Sequence, residues 1–323
     1  MATVTKDAQP AVVDERVTRL VENIEQVIFG KSEVVKLCIT GLLARGHILI
    51  EDVPGMGKTT LAQGLARSIE GTFHRIQFTS DMLPSDIIGV SILNQRTSEF
   101  EFRKGPLFAN VVLADEINRT PPKTQSALLE AMSEFQVSAD GTTRPLPDPF
   151  IVLATQNPIE YEGTYTLPES QLDRFMLRVE MGYPGDDHEL HIMRRRDPKV
   201  ALEQLTPVLT AKDITDLQRL AGTIMVEESV ARYMLAIVQA TRDNEFVQLG
   251  ASPRSSVSFY EACQARALVE GRDYVTPDDV RQMAIPILSH RILVKSRDGN
   301  PITSARARSR VIHEILKQTP IPE

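Results

Sequence analysis

The stretch HILIEDVPGMGKTT, residues His47–Thr60, decides the fold of this chain. Its first residues, His47 to Glu51, are mostly apolar and predict a buried strand. Gly55 and Gly57 lie in the loop that follows, where glycine allows backbone conformations closed to other residues. The residues from Leu61 to Glu70 then predict a helix. A strand, a glycine-containing loop and a helix in this order predict a phosphate-binding site.

The loop offers several contacts to a chain of phosphates. Backbone N–H groups and the positive end of the following helix face a bound anion. Lys58 is long enough to reach the terminal phosphates, and the Thr59 hydroxyl is placed to bind Mg²⁺. A Gly-Lys-Thr tripeptide in an ordinary turn is the simpler alternative. The strand before the loop and the helix after it disfavour that alternative, so we predict a nucleotide site.

Asp52 departs from the usual form of such a loop. The common pattern is GxxxxGK[ST], and counting back from Gly57 places Asp52 at the position of the first glycine. A carboxylate beside phosphates is unfavourable because the charges repel each other. We therefore expect the Asp52 side chain to point away from a bound anion.

The composition is that of an ordinary folded protein of about two domains. The chain has 323 residues, of which 42% are hydrophobic and 24% charged. Its net charge of -7 argues against a general nucleic-acid surface, which would be basic. Two cysteines, Cys38 and Cys263, are too few and too far apart to indicate a disulfide framework or a metal site.

Nothing in the sequence indicates a membrane protein. No apolar run approaches the roughly 18 residues that a membrane span requires. The N-terminal residues MATVTKDAQP lack the apolar core of a signal peptide. We therefore expect a cytoplasmic protein without direct membrane insertion.

Two carboxylates follow the apolar stretch Val111–Ala114. That stretch predicts a buried strand, which delivers Asp115 and Glu116 at its carboxyl end, the edge of an α/β sheet where ligands bind. Asp115 is placed to hold Mg²⁺, and Glu116 is placed to orient and polarise an attacking water. Two acids that merely begin a loop are the alternative. The preceding strand and the phosphate loop favour a catalytic pair.

Two further polar residues are ambiguous on their own. The stretch Ile151–Ala154 predicts another buried strand, and Asn157 follows it at the same edge of the sheet. An asparagine before proline is also common in turns. Arg174 precedes a strand candidate that ends near Met181, and an isolated surface arginine most often makes an ion pair of little energetic consequence.

Two hairpins are predicted between these strands. The first joins Ile92–Gln95 to Glu99–Phe102, with Phe100 and Phe102 on one face. The second has Asp140-Gly141 as its tight turn. On their own, both hairpins are most simply interpreted as additions to the surface.

The character of the chain changes near Tyr183. From Glu189 onward the sequence shows helical periods without a strong strand candidate. The predicted helices begin near Asp213, Glu227, Pro253 and Pro277. We therefore predict an α/β fold with a disordered N-terminus at 1–11, a nucleotide-binding core at 12–182, and a linker with an all-α domain at 183–323.

Taken in order, these motifs resemble those of the AAA+ ATPases, and more narrowly the MoxR family, from about Val12 to Arg291. The phrases that carry the resemblance are VIFGKSEVV, EDVPGMGKTTLA, QFTSDMLPSDIIG, GPLFANVVLADEINRTPPKTQSALLEAM, ATQNPIEYEGTYTLPESQLDRF, GASPRSS and GRDYVTPDDV. Several would be weak singly, but their order is highly specific. The family also accepts Asp-Val-Pro-Gly phosphate loops. The resemblance implies a parallel five-stranded core with β-hairpin inserts, followed by an all-α lid.

The resemblance also implies roles for individual residues. Asp115 and Glu116 resemble the Walker B pair, with Asp115 and Thr59 as the Mg²⁺ residues. Asn157 resembles sensor 1, which positions the water together with Glu116. The phosphate-binding positions of Walker A would be Pro54, Gly55, Met56, Gly57, Lys58, Thr59 and Thr60.

Three further elements have counterparts in the family. Arg174 resembles the arginine finger, which completes the site of a neighbouring subunit. Arg254 resembles sensor 2 of the lid, which lies near the γ-phosphate. The backbone segment that meets the adenine would be Val27, Ile28, Phe29 and Gly30. Both hairpins resemble inserts that face the central pore or a partner.

As function, the resemblance implies Mg²⁺-dependent ATP hydrolysis by a ring, most often a hexamer. The ring would remodel or mature protein partners, which often carry a von Willebrand factor A domain. Two alternatives stay open: a chelatase-type ATPase subunit, and a nucleotide-gated scaffold with incidental turnover. A DNA-directed motor is disfavoured by the net charge of -7, which the short basic run Arg194–Arg196 does not reverse.

Overall fold

The structure is a computed structural model that describes residues 14–52, 55–156, 165, 167–183, 185, 186, 190, 198–295, 301, 302 and 305–322. Three predictions fall outside the described residues: the disordered N-terminus at 1–11, Pro54 of the phosphate loop, and Asn157.

A five-stranded parallel sheet forms the centre of the first half of the chain. The strands in the described part of the chain are β1 (Ile48–Glu51), β2 (Phe73–Gln77), β3 (Gly89–Asn94), β4 (Glu99–Lys104), β5 (Val111–Asp115), β6 (Gln136–Ala139), β7 (Thr142–Pro145), β8 (Ile151–Gln156), β9 (Leu177–Val179), β10 (Val247–Leu249), β11 (Leu293–Lys295) and β12 (Pro301–Ile302). The central sheet has the order β2-β5-β8-β1-β9, and all its neighbouring strands are parallel. The predicted parallel core is confirmed.

Helices cover both faces of this sheet and make up most of the second half. Those with both ends in the described residues are α1 (Glu15–Glu25), α2 (Ser32–Leu43), α3 (Lys58–Ser68), α4 (Pro84–Ile88), α5 (Pro122–Glu134), α6 (Glu169–Leu172), α7 (Pro198–Gln204), α8 (Ala211–Ala221), α9 (Glu228–Asp243), α10 (Pro253–Val269), α11 (Pro277–Leu288) and α12 (Ala305–Gln318). Ser252 and Thr276 cap α10 and α11 with proline next in the chain, as the sequence predicts.

The central sheet separates two apolar clusters. In β1, the side chains of Ile48 and Ile50 belong to one cluster and that of Leu49 to the other. This alternation follows from the two-residue period of a strand. Residues of α1, α2 and α3 complete the first cluster, and residues of α4 and α5 complete the second. Strands β1, β5, β8 and β9 are therefore buried on both faces up to their carboxyl ends, whereas the edge strand β2 exposes His74, Arg75 and Gln77.

The two predicted hairpins are present as β3–β4 and β6–β7, and both are antiparallel. They contact each other, because the Arg144 guanidinium lies 3.8 Å from the centroid of the Phe102 ring. Near the tip of the first hairpin, Leu93 and Phe100 pair across the strands and are 53% and 74% exposed. The first hairpin thus presents an apolar pair to the surroundings.

The second half contains a small sheet that the sequence did not predict. Strands β10, β11 and β12 form a three-stranded antiparallel sheet beside the helices. These strands have only three, three and two residues, too few for a two-residue hydrophobic period to be recognised. Helices still dominate this half, so the α/β fold class stands.

The second half packs directly on α2. Ion pairs join Lys36 to Glu270 at 3.0 Å and Glu33 to Arg266 at 2.9 Å. The first apolar cluster continues from the core helices into the second half without interruption. No helix in the described part of the chain has the length and apolarity needed to cross a membrane.

Candidate functional site: a phosphate-loop cavity and an arginine cavity

The phosphate loop begins directly after β1. Gly55 and Gly57 both have a φ of 87°, in the left-handed region where a side chain would strain the backbone. Helix α3 begins at Lys58 with Gly57 as its N-cap, and no side chain bonds to its first N–H groups as a cap. Those N–H groups and the helix dipole can therefore act on an anion.

The Asp52 side chain is held by Gly182, which follows β9, the strand beside β1. Its Oδ2 accepts a hydrogen bond from the Gly182 N–H at 2.6 Å, and its backbone carbonyl accepts one from the Lys58 ammonium at 2.6 Å. The side chain still lines the cavity beside the loop. A backbone donor thus satisfies the carboxylate that replaces the usual glycine, which reduces its conflict with bound phosphates.

Two carboxylates meet this loop at the end of β5. Asp115 is the last residue of the strand, and Glu116 follows with a φ of 59°. Successive strand residues point to opposite faces, but the left-handed backbone at Glu116 lets both side chains line one cavity with Lys58. Non-glycine residues in this region are uncommon and often lie at functional sites.

Neighbouring strands supply polar partners to both carboxylates. The Thr155 hydroxyl, on β8, donates to Asp115 Oδ1 at 2.6 Å and accepts from the Glu116 N–H at 2.9 Å. On β2, Arg75 donates to Asp115 Oδ2 at 2.5 Å. Gln77, on the same strand, donates through Nε2 to Glu116 Oε2 at 2.7 Å. The two carboxylates are therefore held in place by the strands on either side.

The sequence did not single out Arg75, Gln77 or Thr155. Gln77 lies opposite Asp115 in the register of β2 and β5, and Arg75 is two residues earlier, on the same face. A signal was present for Thr155, which directly follows the predicted strand Ile151–Ala154. It could be used only once the strand order was known.

The cavity enclosed by these residues has a volume of about 330 Å³. Thr59 supplies a hydroxyl and Asp115 a carboxylate, and both line it. Among the described residues, no cluster of three or more His, Cys, Asp or Glu side chains could hold a metal by itself. Mg²⁺ shared with nucleotide phosphates needs only one or two protein ligands. The donor set therefore fits Mg²⁺ bound together with a nucleotide.

The charges in this cavity influence one another. Burial lowers the pKa of Lys58, and the charges of Asp52, Asp115 and Glu116 oppose that shift. Arg119 adds a cation at the rim, with Nε 3.2 Å from Glu116 Oε2. The carboxylates thus favour the protonated ammonium of Lys58, the form that binds phosphate.

The segment proposed for adenine lies against α3. Val27 and Ile28 are buried, and a Cβ at Gly64 of α3 would come within 3.0 Å of the Val27 side chain. Gly30 has a φ of 67° and turns the chain, after Phe29, towards α2. The segment is therefore next to the helix that follows the phosphate loop.

Arg174 and Arg254 line a different cavity. We call it the arginine cavity; its volume is about 320 Å³, and neither residue lines the cavity of the phosphate loop. Its basic residues are Arg45, Arg174, Arg254 and Arg291. The resemblance placed Arg254 near the γ-phosphate, whereas within one subunit the structure places it in the cavity that contains Arg174.

The two arginines are presented differently. Arg174 Nη1 donates to the Leu129 carbonyl at 2.9 Å and to the Ser133 hydroxyl at 2.6 Å, at the carboxyl end of α5. Arg254 is exposed in the first turn of α10. A cation at that end opposes the helix dipole, so the stability of α10 does not explain an arginine there.

Burial shifts the pKa values of two groups around the arginine cavity, His47 and Arg291. His47 is fully buried, with Nε2 2.8 Å from the Met132 carbonyl and Nδ1 accepting from the Val152 N–H at 3.0 Å. Burial, together with the charge of Arg254, lowers the pKa of His47 to about 4. Burial likewise lowers the pKa of Arg291 to about 10. His47 is therefore neutral near pH 7, whereas Arg291 remains charged.

Comparison with known proteins shows the family of this chain. The model of the ATPase family associated with various cellular activities (AAA) matches residues 47–177, and that of the AAA lid domain matches residues 239–314. The chaperone MoxR1 of Mycobacterium tuberculosis is 42% identical over 314 residues, covering 94% of this chain and 82% of that protein. The chain belongs to the MoxR family of AAA+ ATPases.

Two other similar proteins each match more than nine-tenths of the MoxR-family chain. The uncharacterized protein YeaC of Bacillus subtilis is 49% identical over 304 residues, which is 94% of each chain. A crystal structure of a protein from Cytophaga hutchinsonii, assigned as an ATPase, has a TM-score of 0.85 and 38% identity and covers 96% of each chain. The AAA+ core and the lid are therefore both present, and we use "lid" for residues 239–314.

Proposed function

We propose that this chain binds ATP with Mg²⁺ and hydrolyses it, and that a ring of subunits uses the reaction for chaperone-like work on protein partners. The phosphate-loop cavity carries the proposal, because Lys58, Thr59, Asp115 and Glu116 line it together. It lies at the carboxyl edge of a parallel sheet, where α/β proteins bind ligands. Membership of an ATPase family supports the same function.

Binding is assigned to the loop and the start of α3. The N–H groups of residues 55–60 bind the phosphates, and the Lys58 ammonium contacts the terminal ones. Val27 to Gly30 contact the adenine. Mg²⁺, when bound with the nucleotide, neutralises charge on its phosphate oxygens, and Thr59 and Asp115 would hold it. Arg75 pairs with Asp115 Oδ2 and would share this carboxylate with the metal.

Hydrolysis is assigned to Glu116. Its carboxylate orients and polarises the attacking water, and general-base catalysis of this kind contributes about 10²–10⁴-fold in rate. Gln77 holds the Glu116 carboxylate, and Thr155 holds the Glu116 backbone N–H. Asn157 is the proposed second contact to the water.

The separation of the two cavities supports the proposed ring. Arg174 and Arg254 do not line the nucleotide cavity of their own subunit. The arginine cavity is lined by four arginines and by only two carboxylates, those of Asp173 and Glu261. Its positive charge suits an anion supplied by another molecule. We propose that this anion is the terminal phosphate of the next subunit's ATP, in a ring that is most often a hexamer.

We propose that the ring acts on protein partners. A MoxR1 relative is named a chaperone, and the exposed pair Leu93 and Phe100 gives the ring an apolar contact for a partner. We propose a partner with a von Willebrand factor A domain. Replacing Phe100 with Ser should lower partner-stimulated ATPase and leave basal ATPase unchanged, because the pair lies outside both cavities.

Glu116→Gln tests the proposed chemistry. The change keeps the size and hydrogen bonding of the side chain but removes its charge. ATP should stay bound while turnover falls by about 100-fold or more. Lys58→Ala should instead weaken binding, because a phosphate-facing cation is lost. Binding is measured with a fluorescent ATP analogue and turnover by phosphate release.

Glu228→Gln, on the exposed first turn of α9, is the matched control and should change neither quantity. Normal turnover in Glu116→Gln would show that the catalytic assignment is wrong. The ATP-locked Glu116→Gln ring should also recover the partner on co-purification. Recovery of nucleic acid, with ATPase stimulated by DNA, would contradict the proposed work on proteins.

A further inference from the structure

Asp173, the residue before Arg174, contacts Ser252 and Ser255, which flank Arg254 in the chain. Its carboxylate accepts hydrogen bonds from the hydroxyls of Ser252 and Ser255, each at 3.2 Å. Ser252 is the N-cap of α10, and Arg254 lies between these two serines in the chain. A negative charge at the start of α10 is also favourable for the helix dipole. The core residue is thus bonded to the turn that presents Arg254.

The lid holds this core segment at a second point. Arg291 Nε lies 3.2 Å from Asp173 Oδ1 as an ion pair, and Arg291 Nη2 donates to the Phe175 carbonyl at 3.0 Å. His290 contacts the same carbonyl through Nε2 at 2.8 Å. Burial and nearby arginines keep the pKa of His290 well below its usual value, so the neutral ring donates from Nε2. Lid residues therefore bind the chain on both sides of Arg174.

The Arg174 side chain contacts the core through α5, at Leu129 and Ser133. The contacts of Asp173 consequently join a core arginine to a lid arginine in one cavity. Positioning of this kind matters, because displacing a catalytic group by about 1 Å can lower a rate by 10²-fold.

We propose that Asp173 is a positioning residue that fixes the spacing of Arg174 and Arg254, so that both enter a neighbouring subunit's nucleotide site as one unit. The inference rests on the proposed function of these two arginines across the subunit interface. It adds that the lid and the arginine finger are coupled through one carboxylate.

Hydrogen exchange tests the coupling without any activity measurement. In full-length Asp173→Asn, the amides of residues 173–177 and of the first turn of α10 should exchange together, about 10-fold faster than in the unmodified chain. The amides of α3 should be unchanged. Asp213→Asn is the matched control, since Asp213 accepts hydrogen bonds at the start of α8. Faster exchange in only one of the two segments, or in neither, would overturn the coupling.

Mixing experiments test the side of the interface on which Asp173 acts. Asp173→Asn alone should bind ATP within about 2-fold of normal and lose about 10-fold in turnover. Mixed with Lys58→Ala, it should regain activity, because one variant supplies the loop and the other the arginines. Mixed with Arg174→Ala, it should not, because both variants fail on the same side. Activity regained with Arg174→Ala, or absent with Lys58→Ala in rings that form, overturns the proposal.

Ser255→Ala is the second variant, in case the buried Arg291 makes Asp173→Asn unstable. It removes one bond to Asp173 and leaves the Ser252 oxygen as the cap of the Ser255 N–H. Ser255→Ala should give the same results as Asp173→Asn in hydrogen exchange and in mixing, but its loss of turnover should be smaller, about 3-fold. Normal turnover of Arg174→Ala would refute the proposed role of the finger; hydrogen exchange would still decide whether Asp173 couples lid and core.

Discussion

The phosphate-loop cavity and the arginine cavity have similar volumes, about 330 and 320 Å³, and opposite balances of charge. The first sets Lys58 and Arg75 against the carboxylates of Asp52, Asp115 and Glu116. The second sets four arginines against two carboxylates, and burial raises the pKa of one of these, Glu261. One cavity is suited to a nucleotide with its metal, and the other to an anion alone.

Under the proposed function, the difference divides the work within one subunit. The groups proposed to bind nucleotide and activate water lie at the sheet edge, whereas cations suited to stabilising charge on a γ-phosphate lie between core and lid. Neither cavity contains the full set of groups that phosphoryl transfer requires. Each subunit is therefore expected to contribute its loop to one interface and its arginines to the other.

Arg174→Ala should have the largest effect. Arginine fingers contribute about 10³-fold or more in the best-studied GTPases, so turnover should fall by up to about this factor. ATP affinity should stay within about 2-fold, because Arg174 does not line the loop cavity of its own subunit. Activity of the unmodified chain should rise more than linearly with protein concentration.

Mixing sharpens this prediction. Lys58→Ala and Arg174→Ala are each expected to be inactive, but mixed rings contain interfaces with an intact loop on one side and an intact finger on the other. Partial activity should return on mixing. If mixed rings form and stay inactive, Arg174 does not act across the interface, and Arg119, beside Glu116, becomes the next candidate.

Lowering the pH should lower the free energy of unfolding, because of His47, which lines the arginine cavity. The pKa of His47 is about 4 in the folded state against about 6.5 when unfolded. Between these values the unfolded chain binds a proton that the folded chain does not, so stability falls as pH falls from 6.5 to 4. The shift corresponds to about 3 kcal/mol in the free energy of unfolding.

Urea unfolding at pH 7 and at pH 4.5 measures this loss. His47→Gln keeps a donor for the Met132 carbonyl and removes the titration, so it should flatten the pH dependence although its absolute stability is lower. His290 shifts in the same direction and supplies the dependence that remains. If the free energy of unfolding of His47→Gln depends on pH as strongly as that of the unmodified chain, His47 is not the source of the dependence.

Arg254→Ala should affect activity and stability in opposite directions. Turnover should fall by about 10-fold, because one of two cations at the γ-phosphate is lost. Removing a cation from the first turn of α10 should leave the free energy of unfolding unchanged or raise it by about 0.3–1 kcal/mol. Phosphate release and thermal unfolding provide the two measurements. Lower stability with normal turnover would make Arg254 a structural residue.

Asp52→Asn should have the smallest effect. Asparagine can still accept the Gly182 hydrogen bond, whereas the negative charge near the phosphates is removed. ATP should bind about 2- to 5-fold more tightly, which is the size expected of one screened charge at a partly exposed site. Titration with a fluorescent ATP analogue measures the change. Weaker binding would mean that the charge holds Lys58 in place.

The local order of elements could be predicted from the sequence. Apolar runs before Gly55 and before Asp115 predicted buried strands, and Ser252-Pro253 predicted the start of a lid helix. These predictions succeeded because each depends on a few consecutive residues. The strands β10 to β12 were missed because they are too short to show a period.

The sequence by itself determined the strand–loop–helix motif and the position of two carboxylates at a strand end. It predicted the helix over Leu61–Glu70, whereas the structure begins that helix three residues earlier, at Lys58. Only the tertiary structure decided that Arg75 and Gln77 contact those carboxylates, since that requires β2 to lie beside β5. It also placed Arg254 in the cavity of Arg174, through contacts between residues 79 positions apart, Asp173 and Ser252. Local backbone preferences are carried by neighbouring residues. Contacts between distant residues depend on how the lid packs on the core.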